Sequence, residues 1–190
     1  MTPTELVWPS LERLPAYAAA LRRGWSPDNV RGAEVAQDQL ERIASAPAAF
    51  VASLVDREAS GPPIRLPDGT TGRRLPGYQR WIWDGEFCGV IGFRWQPGTP
   101  ALPPHVLGHI GYAVVPWKRG RGHATQALRL QLADAAHEGL PYVVVTTDAD
   151  NAASQRVIER CGGVLVERFA KPAAYGGVPG LRYRISLAPA

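Results

Sequence analysis

Hydrophobic residues recur at helical spacing through the first third of the chain. Up to about residue 58, apolar positions repeat every three or four residues, which predicts amphipathic helices. The first of these runs consists of Leu11, Leu14, Ala18 and Leu21. Further runs lie around Leu40 and from Phe50 to about Arg57. The sequence therefore predicts a helical N-terminal portion, residues 1–58.

Alternating patterns take over in the middle of the chain. Residues 78–95 alternate apolar and polar positions on both sides of Asp84 and Gly85, which predicts a β-hairpin. The later patterns predict a strand at residues 107–115, a helix at 122–138, a strand at 142–147, a helix at 152–160, and strands at 163–169 and 181–187. This order predicts an α/β or α+β fold with a mixed sheet.

The composition is that of one globular domain. The chain has 190 residues, enough for a single core of ordinary size, and 45% of them are hydrophobic. Its two cysteines, Cys88 and Cys161, lie far apart, which predicts reduced thiols rather than a disulfide framework or a zinc site. The sequence shows neither a signal-peptide pattern nor an apolar run of membrane-spanning length. We expect a cytoplasmic protein with no membrane partner and no metal.

Positive charge is concentrated in one short stretch. The formal net charge is only +4, and Lys and Arg are spread among carboxylates except at Lys118, Arg119 and Arg121. This distribution argues against a nucleic-acid partner and favours a local anion site. The three cations precede the predicted helix, whose N-terminus offers unpaired N–H donors, and Gly120 and Gly122 allow close approach. The alternative is a basic turn with glycine at a tight bend.

Two phosphate-binding motifs compete for this stretch, "VVPWKRGRGHATQAL". A Walker loop is excluded because its G-x-x-x-x-G-K-[ST] pattern is missing. A nicotinamide-dinucleotide site remains an alternative, since "GRGHAT" is near G-x-G-x-x-G and Asp148 ends the next predicted strand. Against it, "PWKR" separates the glycines from their strand, and Thr125 replaces the third glycine.

Two motifs resemble those of the GNAT superfamily of N-acetyltransferases. The signature [QR]-x-x-G-x-[GA] of its motif A is met by Arg119, Gly122 and Ala124, after a V-x-P at Val114 and Pro116. The stretch "DNAASQRVIERCGG" is similar to motif B, in the form closest to the branch of ribosomal-protein N-terminal acetyltransferases. It is matched by Asn151, Ser154, Glu159, Arg160 and Gly162. The resemblance covers about residues 75–187.

The resemblance implies a fold, a cosubstrate and a reaction. The fold would be a GNAT-type mixed, largely antiparallel sheet flanked by helices, in one acetyltransferase domain over residues 1–190 with its core at 75–187. The anion would be acetyl-CoA, whose acetyl group passes by direct attack to a primary amine of a small molecule or protein. A monomer or homodimer is expected. The first alternative is a catalytically weak sensor that binds coenzyme A without turnover.

The resemblance also implies which residues hold acetyl-CoA. Its diphosphate would bind the backbone N–H groups of residues 121–125, with Arg119 or Arg121 on a phosphate, and its pantetheine arm would pair with residues 112–115. Asn151 would bind the arm or align the thioester; the alternative is a helix cap. The cofactor-binding residues implied are Val114, Val115, Arg119, Gly120, Arg121, Gly122, His123, Ala124, Thr125, Asn151 and Ser154.

Catalytic residues are harder to assign from the sequence. Ile158 stands where many relatives have a tyrosine as general acid, so Ser154 and Tyr175 are the candidates for protonating the leaving thiolate. His109 is the candidate base, because a histidine titrates near neutrality and lies on the strand that leads to the cofactor site. The alternative for His109 is a structural role. Asp84 and Glu86, at the hairpin, are candidates for attracting a cationic amine, although acids at a hairpin are usually just solvated.

Overall fold

The described part of the chain forms five α-helices and ten β-strands. The computed structural model describes residues 3–65 and 71–187. The helices are α1 (Leu14–Arg22), α2 (Gly32–Ser45), α3 (Pro47–Ser53), α4 (His123–His137) and α5 (Ala152–Arg160). The strands are β1 (Glu5–Val7), β2 (Val55–Asp56), β3 (Ile64–Arg65), β4 (Thr71–Gly72), β5 (Gly77–Trp83), β6 (Phe87–Arg94), β7 (Ile110–Val114), β8 (Tyr142–Asp148), β9 (Val164–Ala170) and β10 (Pro179–Ser186).

Eight of these strands form one mixed sheet. Seven follow the order β1-β5-β6-β7-β8-β10-β9, and β2 also pairs with β5. Every neighbouring pair is antiparallel except β7 and β8, which are parallel. The predicted fold class, a largely antiparallel mixed sheet flanked by helices, is therefore confirmed.

The helices divide between the two faces of the sheet. On one face, Tyr17 of α1 stacks on Trp81 of β5 with ring centroids 5.2 Å apart, and Phe50 of α3 joins the same cluster. On the other face, Leu128 of α4 and Ile158 of α5 are fully buried in a second core with β5, β6, β8 and β10. The N-terminal helices are thus packed onto the same sheet as the motif-bearing half.

Strands β6 and β7 approach closely at Gly89. Its φ of +149° is rarely adopted by residues with side chains, and a Cβ there would lie 2.1 Å from the carbonyl oxygen of Ala113. The contact continues into the next residues, since the Val115 N–H donates to the Cys88 carbonyl at 3.0 Å. The end of β7 is therefore held firmly along its β6 edge.

Several element boundaries differ from the sequence prediction. Strand β1 was not predicted, because three residues are too few to show a period. It is held to the sheet by pairing with β5 and by a bond from the Arg80 guanidinium to the Leu6 carbonyl. The third helix ends at Ser53 rather than near Arg57, because the chain turns there to pair β2 with β5. Strand β7 begins only at Ile110.

None of the helices in the described part of the chain combines the length and the apolar character that a bilayer crossing requires.

Candidate active site

The parallel strands β7 and β8 separate after a single paired position. Their register joins only Ile110 to Val145, next to a bond from the His109 N–H to the Val144 carbonyl at 2.8 Å. Among the described residues, 111–114 have no Cα partner in β8. Because β6 takes one edge of β7, the peptide groups on the other edge face the gap without a strand partner, although the Val114 carbonyl accepts a bond from Arg119. An amide-bearing ligand in extended form can pair with them.

The connection from β7 to α4 forms an open anion seat. Gly120 and Gly122 have φ values of +76° and +83°, and a Cβ on either would meet nothing within 4 Å. Gly122 is the N-cap of α4 and supplies no side chain to bond the first-turn N–H groups. Those donors, together with the exposed Arg121 beside them, therefore remain available for an anion. Arg119 is exposed too, and its Nε donates to the Val114 carbonyl.

Lys118 does not join this seat. Its ammonium turns inward and lies 2.9 Å from both Asp84 Oδ1 and Glu86 Oε2, with only 10% of the side chain exposed. The sequence suggested that Lys118 belongs to the anion site together with Arg119 and Arg121. This expectation is corrected, because the Lys118 ammonium is held by ion pairs with the hairpin acids. The single ammonium balances one of the two carboxylate charges, and Asp84 is the more enclosed of the two acids, so Asp84 is poorly placed to attract a cationic acceptor.

His123 also turns inward, from the first residue of α4. Its ring is buried, with Nδ1 2.8 Å from Thr4 Oγ1 and Nε2 3.4 Å from Asp84 Oδ2. Burial lowers the pKa of His123, against the pull of Asp84, which favours the charged form. The side chain thus ties the first residue of α4 to Thr4 and packs it beside Asp84, and only its backbone N–H faces the anion seat. The atoms of Asp84, Cys88 and His123 that could ligate a metal ion lie within 4.8 Å of one another. The Lys118 ammonium already provides a positive charge beside Asp84.

The motif-B residues shape the start of α5. Asn151 is the N-cap, and its Oδ1 accepts a bond from the Ser154 N–H at 3.0 Å. The cap, which the sequence offered as an alternative role for Asn151, is therefore present. The Ser154 hydroxyl lies 2.8 Å from that of Tyr112 on β7. The Tyr112 side chain was not predicted to belong to the site, although strand alternation places it opposite Gly111 and Ala113, toward the helices that follow.

His109 occupies a structural position. It is fully buried, and its Nδ1 accepts a bond from the Val144 N–H at 2.9 Å, so the ring proton lies on Nε2. Burial, with a smaller contribution from Arg94, lowers the pKa of His109 to about 4. The lone pair on Nδ1 is occupied by the bond from the Val144 N–H, so the ring has no free acceptor for the proton of an amine. The expected base role is therefore replaced by support of the junction between β7 and β8.

Tyr175 is similarly engaged. It lies in a short 3-10 turn, and its hydroxyl donates to the His105 carbonyl at 2.6 Å. Its proton is therefore committed to the backbone, which argues against Tyr175 as the acid.

Comparison with known families decides the identity. The acetyltransferase (GNAT) domain family matches residues 66–164, more than half of the chain. The chain belongs to the GNAT family. It is an acetyl-CoA-dependent acetyltransferase. No curated protein sequence matches the chain.

Solved structures with the GNAT fold cover nearly all of the chain. The ribosomal L7/L12 alpha-N-protein acetyltransferase RimL, in complex with coenzyme A, is 17% identical, has a TM-score of 0.65, and covers 98% of this chain and 96% of its own. The Salmonella typhimurium acetyl transferase that modifies the N-terminal serine of L7/L12 is 16% identical, with a TM-score of 0.64 and coverage of 99% and 97%. Microcin C7 self immunity acetyltransferase MccE, in complex with acetyl-CoA and AMP, is 14% identical, with a TM-score of 0.57 and coverage of 97% and 92%.

The GNAT site fits acetyl-CoA in two independent respects. The uncapped N-terminus of α4, with its exposed arginines, suits a diphosphate. The unpaired edge of β7 suits the two amides of the pantetheine arm, which need backbone partners when they leave water. The seat and the edge are consecutive in the chain, as a ligand that carries both groups requires.

Gly122→Asp should abolish acetyl-CoA binding. The substitution adds a strained side chain and a negative charge where the helix N-terminus meets the diphosphate, and calorimetry should show affinity lowered at least about a hundredfold. Gly139→Asp is the matched control, because Gly139 has a φ of +74° and open space but lies just past the opposite end of α4. Equal affinity in the two variants would contradict the anion seat.

Asp84→Asn should weaken both the fold and the cofactor site, because it removes the carboxylate charge that pairs with Lys118 and lies beside His123. Burial raises the pKa of Asp84, but hydrogen bonds from Lys118, Cys88 and the Glu86 N–H outweigh it, so the pKa lies below 3.8. A depressed pKa stabilises the fold above about pH 3.8, and that stability is lost as pH falls through the folded-state value. Urea unfolding at pH 7 should show a loss of about 2–4 kcal/mol that shrinks below pH 4.

The control for this prediction is Glu86→Gln. Glu86 pairs with the same ammonium, but its side chain is 77% exposed, so its removal should cost less than about 1 kcal/mol. Acetyl-CoA affinity should fall in Asp84→Asn and stay near wild type in Glu86→Gln. A larger effect from Glu86→Gln would overturn the ranking.

His109→Asn should leave the pH dependence of turnover unchanged while altering that of stability. The asparagine oxygen can still accept the Val144 N–H, but the titrating ring is gone. Because the pKa of His109 falls from 6.5 unfolded to about 4 folded, wild type should lose stability as pH drops through this range. The variant should show a smaller loss in urea titrations across the same window. A shifted acidic limb in its pH-rate profile would restore His109 as the base.

Proposed function

We propose that the chain transfers the acetyl group of acetyl-CoA to a primary amine of a small molecule or a protein by direct attack. The observation that carries this proposal is the gap between β7 and β8, which opens next to the anion seat at the start of α4. Acetyl-CoA supplies the acetyl group as an activated thioester. The gap gives an amine access to that group from the face of the exposed Gly111.

In this proposal, backbone groups do most of the binding. The N–H groups of residues 121–125 bind the diphosphate, with Arg119 or Arg121 on a phosphate, and residues 112–115 pair with the pantetheine arm. A backbone N–H near Val114 polarises the thioester carbonyl. Asn151 contributes mainly by fixing the first turn of α5, since its side-chain oxygen is already used as the cap. The fused helices and sheet, joined at Tyr17 and Trp81, support a single domain over residues 1–190.

Neither cysteine is placed to form an acyl-enzyme, which supports direct attack. Cys88 is fully buried, and burial, reinforced by the negative charge of Asp84, raises the pKa of its thiol to about 12. Burial also raises the pKa of Cys161, whose thiol lies 3.5 Å from the Thr125 carbonyl. A thiol needs to ionise to act as a nucleophile, and both environments oppose ionisation.

Proton handling then falls to Ser154 and to solvent. Ser154 is the remaining candidate of the three predicted catalytic residues, since His109 and Tyr175 are both engaged with backbone groups. We assign Ser154 to the leaving thiolate and assign the amine proton to water at the open gap. This assignment predicts that kcat/KM rises with pH toward the pKa of the acceptor amine itself.

A coenzyme-A-binding sensor is the second candidate function. It is favoured by Ile158, a fully buried aliphatic residue at the position where many GNAT relatives carry a tyrosine as acid. Such a protein would bind the cofactor through the same loop and turn it over slowly or not at all.

One assay separates these functions. Thiol release from acetyl-CoA is followed with a panel of amines that includes peptides with free N-termini, because two of the similar structures are acetyltransferases of a ribosomal protein N-terminus. We expect release that depends on the amine, with Gly122→Asp as the inactive control. Tight acetyl-CoA binding without acetylation of any acceptor would favour the sensor. Binding of NAD in place of acetyl-CoA, measured side by side in calorimetry, would contradict both.

A further inference from the structure

Two hydroxyl groups meet where β7 faces α5. Tyr112 Oη and Ser154 Oγ lie 2.8 Å apart, and either can donate. Tyr112 Oη also lies 3.4 Å from the Ser154 carbonyl, a second acceptor for the same proton. The pair bridges residues 42 positions apart in the chain. It is the direct polar contact between the strand that borders the gap and the first turn of the motif-B helix.

Both partners are held in place independently of each other. Ser154 is fixed by the bond from its N–H to the Asn151 cap, and Tyr112 by its position on the well-paired β6 edge of β7. The tyrosine ring packs against the core that contains α4 and α5. A contact between two fixed groups costs little further conformational entropy, so its geometry is well defined.

We propose that the Tyr112 hydroxyl donates to Ser154 Oγ and so directs the Ser154 O–H toward the sulfur that leaves when the acetyl group is transferred. Tyr112 is then a positioning residue that acts through Ser154. The inference rests on the function proposed above, and it deepens the assignment of Ser154.

The physical reason is that the hydroxyl of a serine in the first turn of a helix can take more than one orientation. Left alone, its hydroxyl readily turns back to a nearby backbone carbonyl. A donor on Oγ leaves the serine proton free to point outward, and it also polarises the O–H bond, because hydrogen bonds in a chain strengthen one another. Burial raises the pKa of Tyr112 to about 12, so the tyrosine keeps its proton and remains a donor throughout the working range of pH.

The proton balance of the step is closed. The amine nitrogen forms the new C–N bond and loses one proton to water, while the C–S bond breaks, its electron pair stays on sulfur, and the sulfur gains one proton. Ser154 stabilises the sulfur as charge develops and delivers that proton, which water then restores. Tyr112 is unchanged at the end.

A double-mutant cycle tests the proposal. Ser154→Ala should lower kcat about a hundredfold and Tyr112→Phe about tenfold, both with the KM for acetyl-CoA within about twofold of wild type. Because Tyr112 acts only through Ser154, the double variant should match Ser154→Ala to within about twofold. In a Ser154→Thr background, which keeps a hydroxyl, Tyr112→Phe should again cost about tenfold.

The matched control is Tyr183→Phe. The hydroxyl of Tyr183, on β10, donates to Glu159 at 3.2 Å, so this variant also removes a tyrosine hydroxyl that contacts α5, but near the far end of that helix. Its kcat should equal that of wild type, and thermal unfolding of every variant verifies the fold. Multiplicative effects of Tyr112→Phe and Ser154→Ala, or a loss confined to KM, would overturn the inference alone. Full activity in Ser154→Ala would instead remove the role assigned to Ser154, and an inactive wild type would remove the proposed function.

Discussion

The one-sided pairing of β7 is the constraint on which the site depends. At Gly89 the backbone of β6 comes so close that no side chain fits, and the register holds through to Val115. Among the described residues, the opposite edge has a strand partner only at Ile110, and its Val114 carbonyl accepts a bond from Arg119. A strand fixed on one edge keeps its shape while its other edge stays unsatisfied, which is the condition for binding a cofactor through backbone groups without first paying to order them.

In the anion seat, likewise, some residues hold the loop in place and others are exposed. Two left-handed glycines give the loop conformational freedom, yet Lys118 pairs with the β5–β6 hairpin and the His123 ring bonds Thr4. The side chains that stabilise the loop are thus different from the exposed ones, Arg119 and Arg121. This separation lets the backbone donors stay exposed although the loop itself is well packed.

Local patterns predicted the elements well, and long-range contacts set the limits of prediction. The spacing around Gly122 and the capping residue Asn151 identified the starts of α4 and α5, because such signals lie within a few residues. The inward turn of Lys118, by contrast, depends on a carboxylate 34 positions away, and the partner of the His109 ring is a backbone N–H 35 positions away. A charged residue in a loop looks the same in sequence whether it faces phosphate or a buried acid.

The bond between Thr4 and the His123 ring links the start of the described chain to the first residue of α4. In practical terms, a fusion partner or affinity tag placed ahead of β1 would lie close to the loop that forms the anion seat. Kinetic constants measured on such a fusion would report on the tag as well as on the enzyme. A tag that follows β10 would instead start near Leu187, whose N–H donates to the Pro141 carbonyl beyond the C-terminal end of α4.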